Sequence, residues 1–222
     1  MTALFERDRP YVIVLGGEFA EAPGPNDTPP LANGMFDGAY DLDPSLYDVH
    51  MYDEDNVANG TGDGFVFDQL LIAINSSYRP LRIAVAGHSH GGGSVADLCQ
   101  RLVTAQVNDE TTRPFEVILT MYVDAVEQGT ILPEWRRPAG SQHHVNLFQS
   151  VSDTNPDGMP VANSNPDWDV NIILNCVNGI GHTEIDNCEV VHNILSDRLD
   201  YHSYSICMPL EAGYCDDGVA CN

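Results

Sequence analysis

The pentapeptide GHSHG at positions 87–91 is the part of the sequence whose residue types and spacing are best suited to chemistry. It lies between the apolar run LRIAVAG at 81–87 and a segment of helical periodicity at 92–106. A sharp turn between a strand and a helix lifts a serine hydroxyl clear of the sheet, and flanking glycines leave room for neighbouring backbone. The free N–H groups at the start of the helix can then bind an oxyanion. We therefore expect Ser89 to be a nucleophile on a turn formed with Gly87, His88, His90 and Gly91.

The sequence resembles a known protein family in three segments: GHSHG at 87–91, VDAV at 123–126 and GHTEID at 181–186. From about residue 11 to about residue 200 it resembles the α/β-hydrolases. Within that family it is similar to the small lipases and esterases without a large lid, either cutinase-like or class 3 lipase-like. Family members carry the nucleophile, the acid and the histidine in that order along the chain. The resemblance implies that Ser89, Asp124 and His182 are the catalytic residues.

Proton transfer would give each of these residues a role. A neutral serine hydroxyl is a poor nucleophile until a base takes its proton, and histidine titrates near neutral pH. His182 would be the base and then the acid, while Asp124 would hold the tautomer of His182 and stay ionised. For the oxyanion hole, the resemblance implies two backbone N–H donors, one from His90 and one from Gly17 or Glu18 in the loop after the first strand.

Both partners of the serine have alternatives in the sequence. Thr183 and Asp186 form a capping-box pattern beside His182, which would begin a helix without any catalysis. Other histidines fit less well, because they open a predicted strand or lie within or beyond the last predicted helix: His143, His144, His192 and His202. Four aspartates after the fourth predicted strand compete with Asp124, although solvated loop charge also explains them: Asp153, Asp157, Asp167 and Asp169. We favour Asp124 because it ends a strongly apolar run, where a merely solvated charge is not expected.

The elements that must position these residues follow from alternating apolar runs and helical periodicity. Continuous apolar runs, typical of strands buried on both faces, occur at 11–17, 81–87, 115–126 and 143–150. Helical periodicity occurs at 65–74, 92–106 and 184–200, and 20–64 is mostly surface loop around a short strand-like segment at 49–52. The sequence therefore predicts a single α/β domain over 1–222, with a mainly parallel sheet covered by helices on both faces and an irregular, Cys-containing tail at about 201–222.

Acidic residues strongly outnumber basic ones, since 33 Asp and Glu face 9 Arg and no Lys, for a net charge of -24. This balance excludes phosphate backbones and anionic membranes as partners. Such a charge repels itself, which favours either a high-salt milieu that screens it or a strong demand for solubility. No apolar run reaches the length of a membrane span, and the first residues lack the order of a signal peptide. We expect no membrane insertion, and a protein that is cytoplasmic in a high-salt organism or secreted after loss of a leader.

The cysteines and the acidic loop bear on disulfides and metals. Six cysteines form an even set, and the last three, Cys207, Cys215 and Cys221, favour one or more disulfides in the tail. Cys99 lies in a helical pattern and is expected to be a buried thiol. The acidic stretch at 53–63 fails the EF-hand spacing, and His88 and His90 diverge from one tight turn. We therefore expect a solvated acidic loop, no metal and no cofactor.

The intervals between the candidate residues favour an open site. About 70 residues separate the first strand from Ser89, and about 58 separate Asp124 from His182, which leaves no room for a large helical lid. Apolar side chains could line the site: Leu132, Trp135, Phe148 and Trp168. The expected substrate is a small-molecule or polymeric ester with a short or medium acyl group, including polyesters. The alternatives are a triacylglycerol lipase, an acyltransferase or thioesterase using the same acyl-enzyme, and a non-catalytic binding protein with this fold.

Overall fold

A six-stranded sheet lies at the centre of the computed structural model, which describes residues 9–17, 34–150, 158–161, 169–174 and 181–204. Its strands are β1 (Tyr11–Leu15), β2 (Asp48–Tyr52), β3 (Leu81–His88), β4 (Phe115–Val123), β5 (Ser141–Phe148) and β6 (Asp169–Ile173). The strand order is β2-β1-β3-β4-β5-β6, and every neighbouring pair is parallel. The expectation of an α/β fold with a parallel sheet is confirmed, and the carboxyl ends of all six strands meet at one edge.

Four α-helices accompany the sheet in the described residues. They are α1 (Met35–Tyr40), α2 (Phe65–Ser76), α3 (His90–Val107) and α4 (Glu189–Tyr204). Two short 3₁₀ helices, Glu54–Asn56 and Ile185–Asn187, lie after β2 and before α4. The segments that follow the carboxyl ends of the strands carry the candidate site.

Two hydrophobic clusters pack the helices against the strands, and the residues of β1 divide between them. Val12 and Val14 pack in one cluster with side chains of α1 and α4, whereas Ile13 and Leu15 pack in the other with side chains of α2 and α3. Successive strand residues point to opposite faces, so this division follows from the pleat. Full burial of each such aliphatic side chain stabilises the fold by about 1.5–3 kcal/mol. The pattern explains why β1 reads as a continuous apolar run.

Three elements differ from the sequence prediction. The interval 20–64 was expected to be mostly loop, but α1 lies within it and buries Met35 and Phe36. The strand β6 was not expected, and it pairs with β5 at the edge of the sheet. The last helix begins at Glu189 rather than 184, because the residues from 185 to 187 form a separate 3₁₀ turn. Local periodicity could not anticipate elements this short, since their stability comes from tertiary packing.

Two of the six cysteines, Cys99 and Cys188, lie within the described residues. Cys99 is a fully buried free thiol, as expected, and burial raises its pKa to about 12. Cys188 is also free. The remaining four cysteines and the tail after Tyr204 lie outside the described residues, and α4 extends into the part expected to be irregular. Among the described helices, none combines the length and apolar character needed to cross a bilayer.

Candidate active site

Ser89 stands on a strained turn between β3 and α3. Its backbone has φ 52° and ψ -126°, a conformation that costs a non-glycine residue free energy. The Ser89 carbonyl accepts hydrogen bonds from the N–H groups of Gly92 and Val126, which hold the turn in this shape. A Cβ on Gly87 would collide with the Gly91 backbone, and a Cβ on Gly91 would collide with the Gly16 carbonyl. The two flanking glycines of the pentapeptide are therefore required by close backbone approach.

A continuous hydrogen-bonded chain joins the three residues that were predicted to act together. The Ser89 hydroxyl donates to Nε2 of His182 over 2.7 Å. Nδ1–H of His182 donates to Oδ2 of Asp124, also over 2.7 Å. Ser89 follows β3, Asp124 follows β4, and His182 lies between β6 and α4. The parallel sheet brings them together because the ends of β3 and β4 are neighbours at one edge.

Gln149, which was not predicted as a site residue, also holds the Asp124 side chain. The Asp124 carboxylate is fully buried, and it accepts hydrogen bonds from the backbone N–H of Gln149 over 3.2 Å and from Nε2 of its side chain over 3.0 Å. Gln149 is itself fully buried just after β5. The sequence held one signal for Gln149, because it is a polar residue directly after the buried strand β5, which pairs with the strand before Asp124. The amide fixes the carboxylate so that Oδ2 faces His182.

His88 contacts the segment that carries His182. Its Nε2 lies 2.8 Å from the backbone carbonyl oxygen of His182, and its Nδ1 lies 3.1 Å from Oδ2 of Asp186. Burial alone would lower the pKa of His88, but the hydrogen bond and charge of Asp186, the His182 carbonyl and the charge of Asp124 together raise it. Asp186 therefore faces an imidazole rather than capping a helix with Thr183, whose hydroxyl donates to Glu184.

The expected oxyanion donors lie next to Ser89 where the structure describes them. Gly17 is buried, and a Cβ there would stand 3.0 Å from Nδ1 of His88 and 3.1 Å from Cβ of Ser89. His90 is the first residue of α3, so its N–H belongs to the first turn, where helices have no internal acceptor. Nε2–H of the His90 side chain donates to the Thr130 carbonyl over 2.7 Å. The third predicted donor, Glu18, lies outside the described residues.

A cavity of about 370 Å³ opens beside the first turn of α3. It is lined by Glu54, Asp55, His90, Gln128, Gly129, Thr130 and Ile131. Burial raises the pKa of Glu54 to about 7, and the charges of Asp55 and Asp53 act in the same direction. A hydrogen bond from its own backbone and the charge of His90 oppose this rise. The solvated acidic loop expected here is therefore wrong for Glu54, which is only 7% exposed, whereas Asp55 and Asp63 are exposed. No group of three metal-binding side chains occurs within the described ranges.

The other candidates lie elsewhere. Asp169 is buried in a bidentate ion pair with Arg137 and does not contact His182. Asp153, Asp157, Asp167 and Trp168 lie outside the described residues. Of the expected apolar lining, Leu132 and Trp135 are exposed and Phe148 is buried. The competing histidines make other contacts: His144 with Thr120, His143 with His202, and His192 with the Asp186 carbonyl.

The chain matches no protein-family model and no curated protein sequence.

Proposed function

We propose that the protein is a serine carboxylic-ester hydrolase of the α/β-hydrolase type, which works through an acyl-enzyme on Ser89. The observation that carries the proposal is the pair of 2.7 Å hydrogen bonds that link Ser89 to His182 and His182 to Asp124. A serine in reach of a histidine that is oriented by a buried carboxylate is the arrangement that activates a hydroxyl for nucleophilic attack.

The mechanism follows from where the protons lie. The Asp124 carboxylate accepts a hydrogen bond from Nδ1–H of His182, so the ring proton stays on Nδ1 and Nε2 faces the Ser89 hydroxyl without a proton. As Ser89 Oγ attacks the ester carbonyl carbon, its proton passes to Nε2, and Asp124 stabilises the imidazolium. The C–O bond to the alcohol then breaks, and His182 returns the proton to the departing oxygen. Water attacks the acyl-enzyme by the same route in reverse, releasing the acid and restoring Ser89.

The tetrahedral intermediate carries a negative oxygen that needs donors. The proposed donors are the N–H of His90, at the start of α3, and the N–H of Gly17 after β1, where a Cβ would stand 3.1 Å from Cβ of Ser89. Each such donor contributes about 2.7–4 kcal/mol to transition-state stabilisation in comparable sites. The positive φ of Ser89 places the residue on a sharp turn at the carboxyl edge of the sheet, where its Oγ donates to His182.

The packing supports the family proposal at the level of the fold. One hydrophobic cluster contains α1 and α4 and the other contains α2 and α3, which is what helices on both faces of the sheet would produce. In a parallel α/β sheet, ligands bind at the carboxyl edge of the strands. The Ser89 site lies at this edge, between the segments that follow β1, β3 and β4.

The cavity beside His90 supports an ester with a neutral or positively charged group as the substrate. In the described part of the chain no arginine lines it, while the carboxyl groups of Glu54 and Asp55 do. An anionic acyl or alcohol group would be repelled there. Leu132 and Trp135, which follow the cavity-lining Ile131 in the chain, are exposed and suit short or medium acyl esters and the surface of a polyester.

Hydrolysis of a p-nitrophenyl ester series of increasing acyl length tests the proposal. We expect the wild type to cleave the shorter esters and Ser89→Ala to lose roughly 10⁶-fold in kcat. Ser94→Ala is the matched control, because Ser94 is a buried serine of α3 whose hydroxyl donates to the Glu54 carbonyl. Faster turnover with added alcohol or thiol would indicate acyl transfer instead. A folded wild type that cleaves no ester would refute the hydrolase proposal.

A further inference from the structure

Both ring nitrogens of His88 face hydrogen-bond acceptors in a site closed to solvent. Nε2 lies 2.8 Å from the His182 carbonyl oxygen, and Nδ1 lies 3.1 Å from Oδ2 of Asp186. His88 is only 6% exposed, so bulk water does not compete for either contact. His88 takes no part in the proton transfers of the proposed reaction. A packing role for a turn residue would not explain why both nitrogens are engaged.

The acceptors determine the charge of the ring. A carbonyl oxygen cannot donate a hydrogen bond, and an ionised carboxylate only accepts. A neutral imidazole carries one N–H and can satisfy one of these two acceptors, whereas an imidazolium donates to both. The titratable groups around His88 are the Asp186 carboxylate from the 3₁₀ turn, the Asp124 carboxylate after β4 and the ring of His182, whose centre is 5.2 Å away. The two carboxylates balance a buried positive charge at His88.

We infer that His88 is a positioning residue, whose imidazolium ties the segment 182–186 to the end of β3 and so fixes the His182 ring over Ser89. The inference rests on the proposed function for its catalytic consequence, but not for the charge state. Its bonds reach the backbone of His182 and a side chain four residues further on. A second anchor acts on the next residue, because the N–H of Gly34 donates to Oδ1 of Asn187 over 3.0 Å. Together they hold the short segment between His182 and the end of the 3₁₀ turn.

Loss of one proton from His88 would loosen this link. The neutral ring keeps one N–H, and the lone pair on its other nitrogen then faces an oxygen of His182 or Asp186. The expected consequence is a fall in kcat at alkaline pH. Asp186→Asn should remove the alkaline fall, because an amide N–H can donate to a neutral His88 and keep both links without a charge.

Nitrogen-15 NMR of the histidine rings tests the charge state without any assay of activity. At neutral pH we expect both ring nitrogens of His88 to be protonated, with the signals assigned by their loss in His88→Phe. His144 is the internal comparison, because burial lowers its pKa to about 3 and its ring should stay neutral. A His88 ring with a single N–H at neutral pH would overturn the inference.

The positioning role is tested by variants at His88. In His88→Phe we expect the Nδ1–H resonance of His182 to shift or broaden, and kcat for a p-nitrophenyl ester to fall roughly 10- to 100-fold with KM within about twofold. His88→Gln retains a donor and should recover part of the loss. His144→Phe, the matched replacement of a buried histidine bonded to Thr120, should leave the His182 resonance unchanged.

The outcomes separate this inference from the proposed function. If the wild type cleaves no ester but the His182 resonance still moves in His88→Phe, the hydrolase proposal fails and the positioning role stands. If the wild type is active and His88→Phe leaves both the resonance and kcat unchanged, the positioning role is overturned and the hydrolase proposal stands.

Discussion

The substitution Asp124→Asn tests how much the orientation of His182 by Asp124 contributes to the reaction. Asp124 accepts three hydrogen bonds, from His182 Nδ1–H and from the backbone and side chain of Gln149. Asparagine keeps the size of the side chain and tolerates the left-handed backbone at this position, where φ is 47°. Its oxygen can still accept from the Gln149 backbone, and the Gln149 amide can turn to present its oxygen. The free energy of unfolding should therefore fall by no more than about 3 kcal/mol.

The effect on the reaction should be far larger than the effect on folding. The new amide N–H₂ group occupies the place of Oδ2 and donates to Nδ1 of His182, so the ring proton moves to Nε2. An Nε2–H group faces the Ser89 hydroxyl as a donor and cannot take its proton. We expect kcat to fall about 10⁴-fold, which corresponds to about 5 kcal/mol of activation free energy, with little change in KM.

The assay is p-nitrophenyl ester hydrolysis, with the folded fraction measured by circular dichroism. Asp169→Asn is the matched control, since it makes the same change in a buried aspartate that pairs with Arg137 away from Ser89. It should retain kcat per folded molecule. An Asp124→Asn variant with nearly wild-type kcat, or an Asp169→Asn variant with the same large loss, would refute the assignment of Asp124.

Three further predictions follow from burial, close contact and charge. Because burial raises the pKa of Glu54 to about 7, its stabilising contribution is present at low pH and lost as pH rises through 7. Urea titrations should therefore show Glu54→Gln gaining roughly 1 to 3 kcal/mol relative to wild type between pH 5 and pH 8; a constant difference would contradict this. Gly91→Ala should cost about 1–3 kcal/mol in the same titration, because its Cβ meets the Gly16 carbonyl; an unchanged midpoint would exclude that clash. Because salt screens the repulsion within a chain of net charge -24, the thermal midpoint should be higher in molar NaCl than at low salt. A midpoint that does not change with salt would exclude self-repulsion as a significant cost.

The parts of the site that could be predicted are those with a local signal in the sequence. The turn at Ser89 was predicted because a strand, two glycines and a helix succeed one another within a few residues. The juxtaposition of Asp124 and His182 with Ser89 was expected only from the resemblance, because the resembled family carries its catalytic residues in this order. The structure brings the three side chains within hydrogen-bond distance. The parallel sheet was predicted because strands buried on both faces form continuous apolar runs.

The parts that could not be predicted depend on partners distant in the sequence. Gln149 became a neighbour of Asp124 only through the pairing of β4 with β5. The contact of His88 with Asp186 joins positions on either side of three intervening strands, and local patterning favoured a helix cap for Asp186. The burial of Glu54 has the same origin, because its surroundings come from α3 and the loop that contains Gln128.

The most direct test of the central claim is covalent labelling with a fluorophosphonate, read by peptide mass spectrometry. The reagent mimics the tetrahedral intermediate and reacts with a serine only where a base and oxyanion donors act on the same hydroxyl. We expect one adduct per chain on the peptide that contains Ser89, its loss in Ser89→Ala, and its strong reduction in Asp124→Asn. A folded wild type that stays unlabelled, or that is labelled at another residue with equal rate in Ser89→Ala, would contradict the claim that Ser89 is the nucleophile.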